Sequence, residues 1–280
     1  NFDRILPESQ VRYNQDFGAM RIEATSLYMK FQMYSRAGVL VDEYTIGGSN
    51  PSVSSITRLN AASTNLSGVN FQVNFSEAVT GVDVSDFLLT TNLSGANIAS
   101  INGSGNVYTV TVNTGAGDGT LRLDLTDNDS ILNSLSIPLG GSGAANGNFS
   151  AGEIYTIDHT SPSVSSIAPA SLNPSNAATV DFAVTFSEPV SGVDLADFSV
   201  STTNGAVLTG ISGSGMNYIL TVATGTGNDG LRLDFIDNDS VLDLAGNPTN
   251  VGFTSGGSYS IDRTAPVVTS ITPLSQTNET

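Results

Sequence analysis

The chain of 280 residues contains no cysteine and no tryptophan, and His159 is its single histidine. Without cysteine there is neither a disulfide framework nor a thiolate nucleophile. A serine or cysteine hydrolase uses a histidine as its general base, and this chain offers only one histidine for that role. A hydrolase built on paired carboxylates would lack tryptophan as a platform for sugar rings. These absences favour a non-enzymatic protein.

Basic residues are also scarce, with nine Lys and Arg against 26 Asp and Glu and a formal net charge of −17. Residues 1–49 carry five basic and six acidic groups, whereas residues 50–280 carry four and twenty. Such a surface repels phosphate backbones and anionic lipid, which argues against nucleic acid or a membrane surface as a partner and favours cations. No apolar run approaches the ~18 residues needed to span a bilayer.

The abundant Thr, Asn and Gly, together with the scarce Lys, are typical of a secreted bacterial surface protein. We therefore expect an extracellular, cell-surface location. The sequence has neither an initiating Met nor a signal peptide, so we expect a processed form or an excerpt.

One stretch of the sequence occurs twice. The run GTLRLDLTDNDS at residues 119–130 returns as GLRLDFIDNDS at residues 230–240. The spacing between copies is 111 residues at Phe75 and Phe186, and 104 residues at Ile157 and Ile261. Self-similarity at a nearly fixed period identifies a tandem repeat.

Each repeat contains seven short segments with period-two alternation, separated by Asn, Gly and Asp turns. They are residues 53–57, 69–75, 87–90, 96–101, 107–112, 121–125 and 154–157 in the first copy, and residues 164–167, 180–186, 198–200, 207–211, 218–222, 231–235 and 259–261 in the second. This pattern predicts an all-β fold of tandem immunoglobulin-like β-sandwiches. The predicted core is Phe71, Val73, Phe75, Tyr108, Val110, Leu121 and Leu123, then Phe182, Val184, Phe186, Tyr218, Leu220, Leu231 and Leu233.

The first segment of the chain differs from the repeats and predicts an N-terminal three-stranded β-meander over residues 21–24, 27–34 and 39–46. Leu27, Met29, Phe31 and Met33 alternate with polar residues, so we expect their face to be buried. The predicted domains are therefore residues 1–49 as the end of an upstream domain, 50–161 and 162–265 as two Ig-like repeats, and 266–280 as the first strand of a third repeat.

Four motifs carry a resemblance to a known class of repeats. The sequences FSEAV at 75–79, FSEPV at 186–190, DLAGNP at 243–248 and IDRTAP at 261–266 resemble the bacterial Ig-like, cadherin-like repeats of secreted surface adhesins and fibre proteins. The resemblance implies a non-enzymatic stalk, fibre or adhesin. The first copy departs from the pattern where residues 133–138 replace the DLAGNP run and where His159 stands in place of Arg263.

A second resemblance covers only the N-terminal segment. Residues 17–46 resemble the closing strands of secreted metallophosphoesterases of the calcineurin-like kind, although the metal-binding motifs of that family are absent from this sequence. An alternative function is therefore a spacer or targeting tail of a secreted phosphoesterase whose chemistry lies upstream. A third is carbohydrate or receptor binding by the loop tips, with surface glycans as partners.

Acidic residues recur where strands of the predicted sandwich end. The loops after its second and sixth strands lie at one end, where the chain also arrives from the preceding repeat. Carboxylate and amide oxygens are the ligands that Ca²⁺ takes. We therefore predict Ca²⁺ at the domain junctions, stiffening the linkers as the cadherin-like resemblance implies. At the second repeat the predicted ligands are Glu188, Asp237, Asn238, Asp239, Asp243 and Asn247, joined by Asp158 from the end of the first repeat. At the first repeat they are Glu77, Asp127, Asn128 and Asp129, and Asp262 is the predicted ligand for a third.

Simpler interpretations of these residues stay open. The Asp-Asn-Asp run can be a turn, because Asp and Asn bond their own backbone and tolerate left-handed conformations. Glu77 and Glu188 can be solvated carboxylates at strand ends. The incomplete modules at both ends of the sequence also predict partners, namely neighbouring copies or further repeats that pair through strand edges.

Overall fold

The protein is all-β, a tandem of immunoglobulin-like β-sandwiches with an N-terminal three-stranded meander. The computed structural model describes residues 18–24, 28–203 and 205–272. The chain forms two compact units, residues 1–62 with 66–157, and residues 158–280 with 63–65. Within the described ranges, no helix is long and apolar enough to cross a membrane.

The meander is a single antiparallel sheet in the order β1-β2-β3. Its strands are β1 (Ala19–Ala24), β2 (Tyr28–Tyr34) and β3 (Leu40–Gly47). The prediction of a buried apolar face is wrong, because Met29 is 41% exposed while Gln32, on the opposite face, is buried. Gln32 donates to Glu43 at 2.6 Å, and Lys30 pairs with the same carboxylate at 2.7 Å. Leu27, the first residue of the predicted second strand, lies outside the described residues.

The first repeat places its long strands in two sheets. One sheet has the order β10-β6-β4, with β8 also paired to β6, and in the other β11, β9 and β7 are neighbours in that order. The strands are β4 (Val53–Arg58), β5 (Ser63–Thr64), β6 (Gly68–Thr80), β7 (Phe87–Thr91), β8 (Asn97–Asn113), β9 (Gly119–Leu125), β10 (Leu132–Asn133) and β11 (Ile154–Ile157).

The second repeat has the same arrangement. One sheet has the order β12-β13-β15, with β17 paired to β13, and the other has the order β14-β16-β18. The strands are β12 (Val164–Pro169), β13 (Thr179–Ser191), β14 (Phe198–Ser201), β15 (Val207–Ala223), β16 (Asp229–Phe235), β17 (Leu242–Asp243) and β18 (Ser258–Ile261). A single turn of 3₁₀-helix precedes β7 at Val84–Asp86 and β14 at Leu195–Asp197.

The buried residues form two separate hydrophobic clusters, one in each repeat. All fourteen predicted core residues are buried, including Phe71, Leu123 and Leu233 at 0% exposure. Alternation explains this result: along β6 the residues Val69, Phe71, Val73 and Phe75 point to one side, and their neighbours point to the other. Edge-on aromatic contacts add to the packing, for example between Phe71 and Tyr155 at 5.0 Å.

Residues 97–113 have strand conformation throughout but fold back on themselves. The side chains of Asn113 and Asn97 are hydrogen-bonded at 3.2 Å, although 17 residues of straight strand would span more than about 50 Å. Gly103 and Gly105 make the bend with φ of 155° and 66°. The two predicted strands at 96–101 and 107–112 are therefore the arms of one hairpin.

The first strand of a third repeat was predicted within residues 266–280. Residues 262–272 contain no strand, and Val267, Val268 and Ile271 are 79%, 78% and 87% exposed. The sequence pattern alone does not make a strand without a neighbour to supply its hydrogen bonds. Residues 273–280 lie outside the described part of the chain.

Candidate metal centre

Three carboxylates of the second unit lie close together. Asp158, Glu188 and Asp243 each offer one oxygen, and these oxygens all lie within 4.8 Å of one another. Asp158 directly follows β11, Glu188 lies inside β13, and Asp243 ends β17. Asp243 is buried, and the other two are half-buried. Among the described residues this is the one group of at least three such ligands.

The loop after β17 fixes the carboxylate of Asp243. Its Oδ1 accepts hydrogen bonds from the backbone N–H groups of Ala245, Gly246 and Asn247 at 2.7, 2.7 and 2.9 Å. The loop can close so tightly because Gly246 adopts φ of 94°, in the left-handed region that favours glycine. The DLAGNP motif therefore encodes a backbone cradle that orients one carboxylate.

Asn247 connects two members of the group. Its side-chain Nδ2 donates to Oδ2 of Asp243 at 2.8 Å and to the backbone carbonyl of Asp158 at 2.9 Å. Oδ1 of Asp158 accepts a hydrogen bond from the N–H of Thr160 at 3.0 Å. Asn247 thus acts as a donor that positions its neighbours, although its amide oxygen was predicted as a ligand.

Asp237, Asn238 and Asp239 form a turn of their own. Oδ1 of Asp237 accepts from the N–H of Asp239 at 3.3 Å and from the hydroxyl of Thr249 at 2.9 Å. Asp239 has φ of 62°, a conformation that Asp tolerates better than most residues. Asp237 and Asp239 were predicted to lie with Asp158 and Glu188, but they are not members of the carboxylate group.

The corresponding position in the first unit has a different chemistry. Glu77 in β6 accepts hydrogen bonds from the hydroxyl of Ser49 at 2.7 Å and from the side-chain amide of Asn133 at 3.3 Å. Asn133 stands where the second repeat has Asp243, and Gly47 stands where it has Asp158. The first unit therefore has one carboxylate with two neutral donors at the position where the second unit has three carboxylates.

Asp127, Asn128 and Asp129 also form a turn. Oδ1 of Asp127 accepts from the N–H of Asp129 at 3.1 Å, and Asn128 bonds the N–H of Ser130 at 2.9 Å. Backbone N–H groups of the following loop occupy Oδ2 of Asp127 and Oδ2 of Asp129, both at 3.0 Å. Oδ1 of Asp129 is buried without a hydrogen-bond partner. The turn interpretation left open by the sequence therefore describes the local geometry of both Asp-Asn-Asp runs.

Two fully buried carboxylates, Asp86 and Asp197, were not predicted from the sequence. Asp86 accepts from the N–H of Asp83 at 2.7 Å and from the hydroxyl of Ser130 at 2.7 Å, which ties the Asp-Asn-Asp turn to the short helix. Asp197 makes the same contact with Ser240 at 2.7 Å. The available signal was the Asp-x-x-Asp spacing, a capping box in which the two acids satisfy each other's backbone.

Asp262, predicted as a ligand for a third repeat, lies just after β18. Its Oδ1 accepts hydrogen bonds from the N–H of Thr264 at 2.9 Å and from the side chain of Asn228 at 3.3 Å. It is not part of the carboxylate group.

Other acidic side chains have clear structural roles. Arg122 and Arg232 form ion pairs with Asp124 and Asp234 at 2.7 and 2.8 Å. Burial raises the pKa of Asp124, but hydrogen bonds from Arg122 and Thr90 and the charge of Arg122 outweigh this effect. The pKa of Asp124 therefore lies below its usual value.

Comparison with known proteins identifies the class of the second repeat. Residues 158–261 match the family model of a bacterial Ig-like domain. This range begins at Asp158 and contains Glu188 and Asp243, so the whole carboxylate group lies within the matched domain. No curated protein matches the chain. The resemblance of residues 17–46 to metallophosphoesterases gains no support from these comparisons.

A solved structure of surface layer protein SbsC, domains 4–9, is similar to this chain at 14% identity. The match covers 84% of this chain and 35% of that chain, with a TM-score of 0.17. The chain thus spans about a third of the length of that solved chain.

Proposed function

We propose that this chain is a non-enzymatic structural segment of a bacterial extracellular surface protein, such as a stalk, fibre or adhesin. In this proposal, Ca²⁺ bound by Asp158, Glu188 and Asp243 stiffens the connection between successive Ig-like repeats. The observation that carries the proposal is the convergence of three carboxylates on the residue that follows the last strand of the first repeat.

The donor set suits Ca²⁺. Three carboxylates within 4.8 Å repel one another unless a cation lies among them, and Ca²⁺ takes six to eight oxygens at ~2.3–2.6 Å. Asp243 already has four N–H donors, so it contributes a prepositioned oxygen, while the half-buried Asp158 and Glu188 leave room for water ligands. The chain has no cysteine for a thiolate site.

The position of Asp158 in the sequence links binding to mechanics. A cation held by Asp158 and by strands β13 and β17 fixes the first residue after β11 to the core of the second repeat. Fixing that residue removes backbone freedom from the short linker that leads to β12. A stiff linker suits a structural segment of a surface protein, because such a segment transmits force along the chain and keeps its repeats at a fixed spacing.

Calcium titration of the full chain tests the binding step. We expect calorimetry to show one site that is lost in Asp158→Asn and in Glu188→Gln. Glu77→Gln is the matched control, because Glu77 occupies the same strand position in the first repeat but is held by Ser49 and Asn133. Absence of binding heat, or equal loss of binding in Glu77→Gln, would contradict the assignment.

The stabilisation and the stiffening are measured separately. Ca²⁺ at about 100 times its dissociation constant should stabilise the second unit by about 2.7 kcal/mol. Small-angle scattering should show a broader distribution of conformations after chelation. If chelation leaves the scattering unchanged although Ca²⁺ binds, the stiffening is refuted, but the cation site is not.

A further inference from the structure

The meander has an apolar face that is largely exposed in the part of the chain that the structure describes. Its register aligns Ile22 with Phe31 and Tyr44 in one row across the three strands, and Met29 with Ile46 in the next. Met20, Ile22 and Ile46 are 60%, 51% and 52% exposed. We call this surface the meander face, and its members are Met20, Ile22, Met29, Phe31, Tyr44 and Ile46. A contiguous exposed apolar surface is typical of a site that contacts another protein.

The opposite face of the meander is polar and already has its partners. Tyr28 donates to Glu23 at 3.0 Å, and Glu43 accepts from Gln32 at 2.6 Å and pairs with Lys30 at 2.7 Å. The large apolar side chains therefore stand on the side of the sheet that lacks a second layer. Each repeat completes the same arrangement, because it packs the apolar faces of two sheets against each other.

The distribution of charge indicates what covers the meander face. Residues 18–49 carry three basic and three acidic groups, whereas residues 50–280 carry four and twenty. Two copies of the chain repel each other wherever their acidic repeats approach, but the neutral meander adds nothing to this repulsion. A twofold axis also sets the same rows of apolar side chains opposite each other, so the face is compatible with itself. A second copy therefore supplies the missing layer at the one segment where its approach is not opposed.

We propose that the meander face is the interface between two copies of this chain, which pack their three-stranded sheets face to face. Sheets packed in this way lie about 10 Å apart. Three neighbouring strands, of which β1 has six residues, form a face of about 14 Å by about 20 Å, or about 300 Å². Stable interfaces bury about 800 Å² per partner, so the two copies form a weak dimer that exchanges with single chains.

Sedimentation equilibrium of the full chain tests this interface. We expect the average mass to rise from that of one chain towards that of two as the protein concentration increases from about 10 μM to about 1 mM, the range of weak affinities. Added salt should strengthen the association, because it screens the repulsion between the acidic repeats. The measurement is made in EDTA, since the inference involves neither a cation nor the proposed function.

Two variants carry the same change at exposed apolar side chains. Ile22→Asp should weaken the association about tenfold or more, because the interface would then enclose an unpaired charge from each copy. Leu88→Asp is the matched control, since Leu88 is 58% exposed on β7, outside the meander face, and gains the same charge. This control should associate like the wild type. Neither side chain belongs to a core, and circular dichroism checks that both variants are folded.

Three results would overturn the inference. One is the mass of a single chain throughout the concentration range, which leaves the meander face to a different occupant. Another is equal association of Ile22→Asp and the wild type, which places the contact elsewhere on the chain. The third is an equal loss of association in Leu88→Asp, which shows that the added charge, and not the meander face, is responsible. Calcium binding is measured independently of all three, so this inference and the calcium proposal can fail separately.

Discussion

The hydroxyl of Tyr155 offers a sharp test of how the first repeat is held together. This buried tyrosine accepts hydrogen bonds from the N–H groups of Leu59 and Asn60, both at 3.0 Å, and donates to the carbonyl of Asn70 at 2.6 Å. Tyr155→Phe removes all three bonds but keeps the ring against Phe71. The change therefore isolates the polar contribution from the packing contribution.

The magnitude follows from what each partner retains. A hydrogen bond contributes about 0.5–1.5 kcal/mol net, so three bonds set an upper limit of about 4.5 kcal/mol. Leu59 and Asn70 also bond each other at 3.0 Å and keep that partner, which leaves the N–H of Asn60 as the group with most to lose. We therefore expect Tyr155→Phe to lower the free energy of unfolding by about 2–3 kcal/mol.

Tyr108 provides the matched control in the same core. Its hydroxyl makes one hydrogen bond, to the carbonyl of Val79 at 2.9 Å, so Tyr108→Phe should cost about 1 kcal/mol. Urea unfolding followed by circular dichroism gives the free energies, and hydrogen exchange by mass spectrometry assigns the loss to the first unit. If Tyr155→Phe costs no more than Tyr108→Phe, the hydroxyl network does not stabilise the repeat as reasoned.

Two further predictions concern the core and the acid limit of stability. Leu123→Ala should lower the free energy of unfolding by about 2–5 kcal/mol, because Leu123 is fully buried in β9. Leu88→Ala, on the neighbouring strand β7, should change the free energy of unfolding by no more than about 0.5 kcal/mol, because Leu88 is exposed. Equal urea midpoints for the two variants would contradict this prediction. The N–H of Thr203 and the hydroxyls of Thr202 and Thr203 lower the pKa of Asp229 from 3.8 to about 2. The stability that this carboxylate contributes is therefore present above about pH 4 and is lost as the pH falls towards 2. Asp229→Asn should be less stable than wild type at pH 7, and the two stabilities should converge on acidification. A difference in stability that stays constant down to pH 2 would refute the assignment.

The core was predictable because strand periodicity is local information. In β6 and β13, alternate apolar residues point to one face, so Phe71 and Phe182 could be assigned to the core without knowing any long-range contact. The same reasoning failed in the meander, where Met29 is exposed and Gln32 is buried. A strand pattern shows which face is apolar, but whether that face is covered depends on a second layer.

Strand ends were less predictable. Glu77 and Glu188 were expected after their strands but lie inside them, because two-residue strands extend the ladders of β6 and β13. The pairs Val79–Asn133 and Val190–Asp243 join residues more than fifty positions apart through the backbone. Backbone pairing of this kind leaves little trace in the side-chain pattern, so the sequence could not place these strands.

The sequence predicted the three residues of the candidate site, but it also assigned to the site residues that lie elsewhere. Strand order alone indicated that Asp158, Glu188 and Asp243 belong to one end of the repeat, and their oxygens do lie close together. It also included Asp237 and Asp239, whose places depend on local turn geometry. Topology brings loops to the same end of a sandwich, but only the course of each loop decides which side chains meet.

The glycine bends in β8 and β15 have a consequence for tracing the history of this chain. A Cβ atom at Gly103 would lie 2.5 Å from the carbonyl oxygen of Val107, and one at Gly213 would lie 2.3 Å from that of Asn217. Neither position can accept another side chain without moving backbone, whatever the repeat binds. In the pattern Gly-Ser-Gly-x-x-Tyr, present at 103–108 and 213–218, steric exclusion therefore fixes the first glycine. The second glycine has φ of 66° in one copy and 64° in the other, a conformation that favours glycine, so both glycines should outlast the drift of surface residues. The pattern gives a marker by which older and more diverged copies of this module can be recognised after their surface residues have changed.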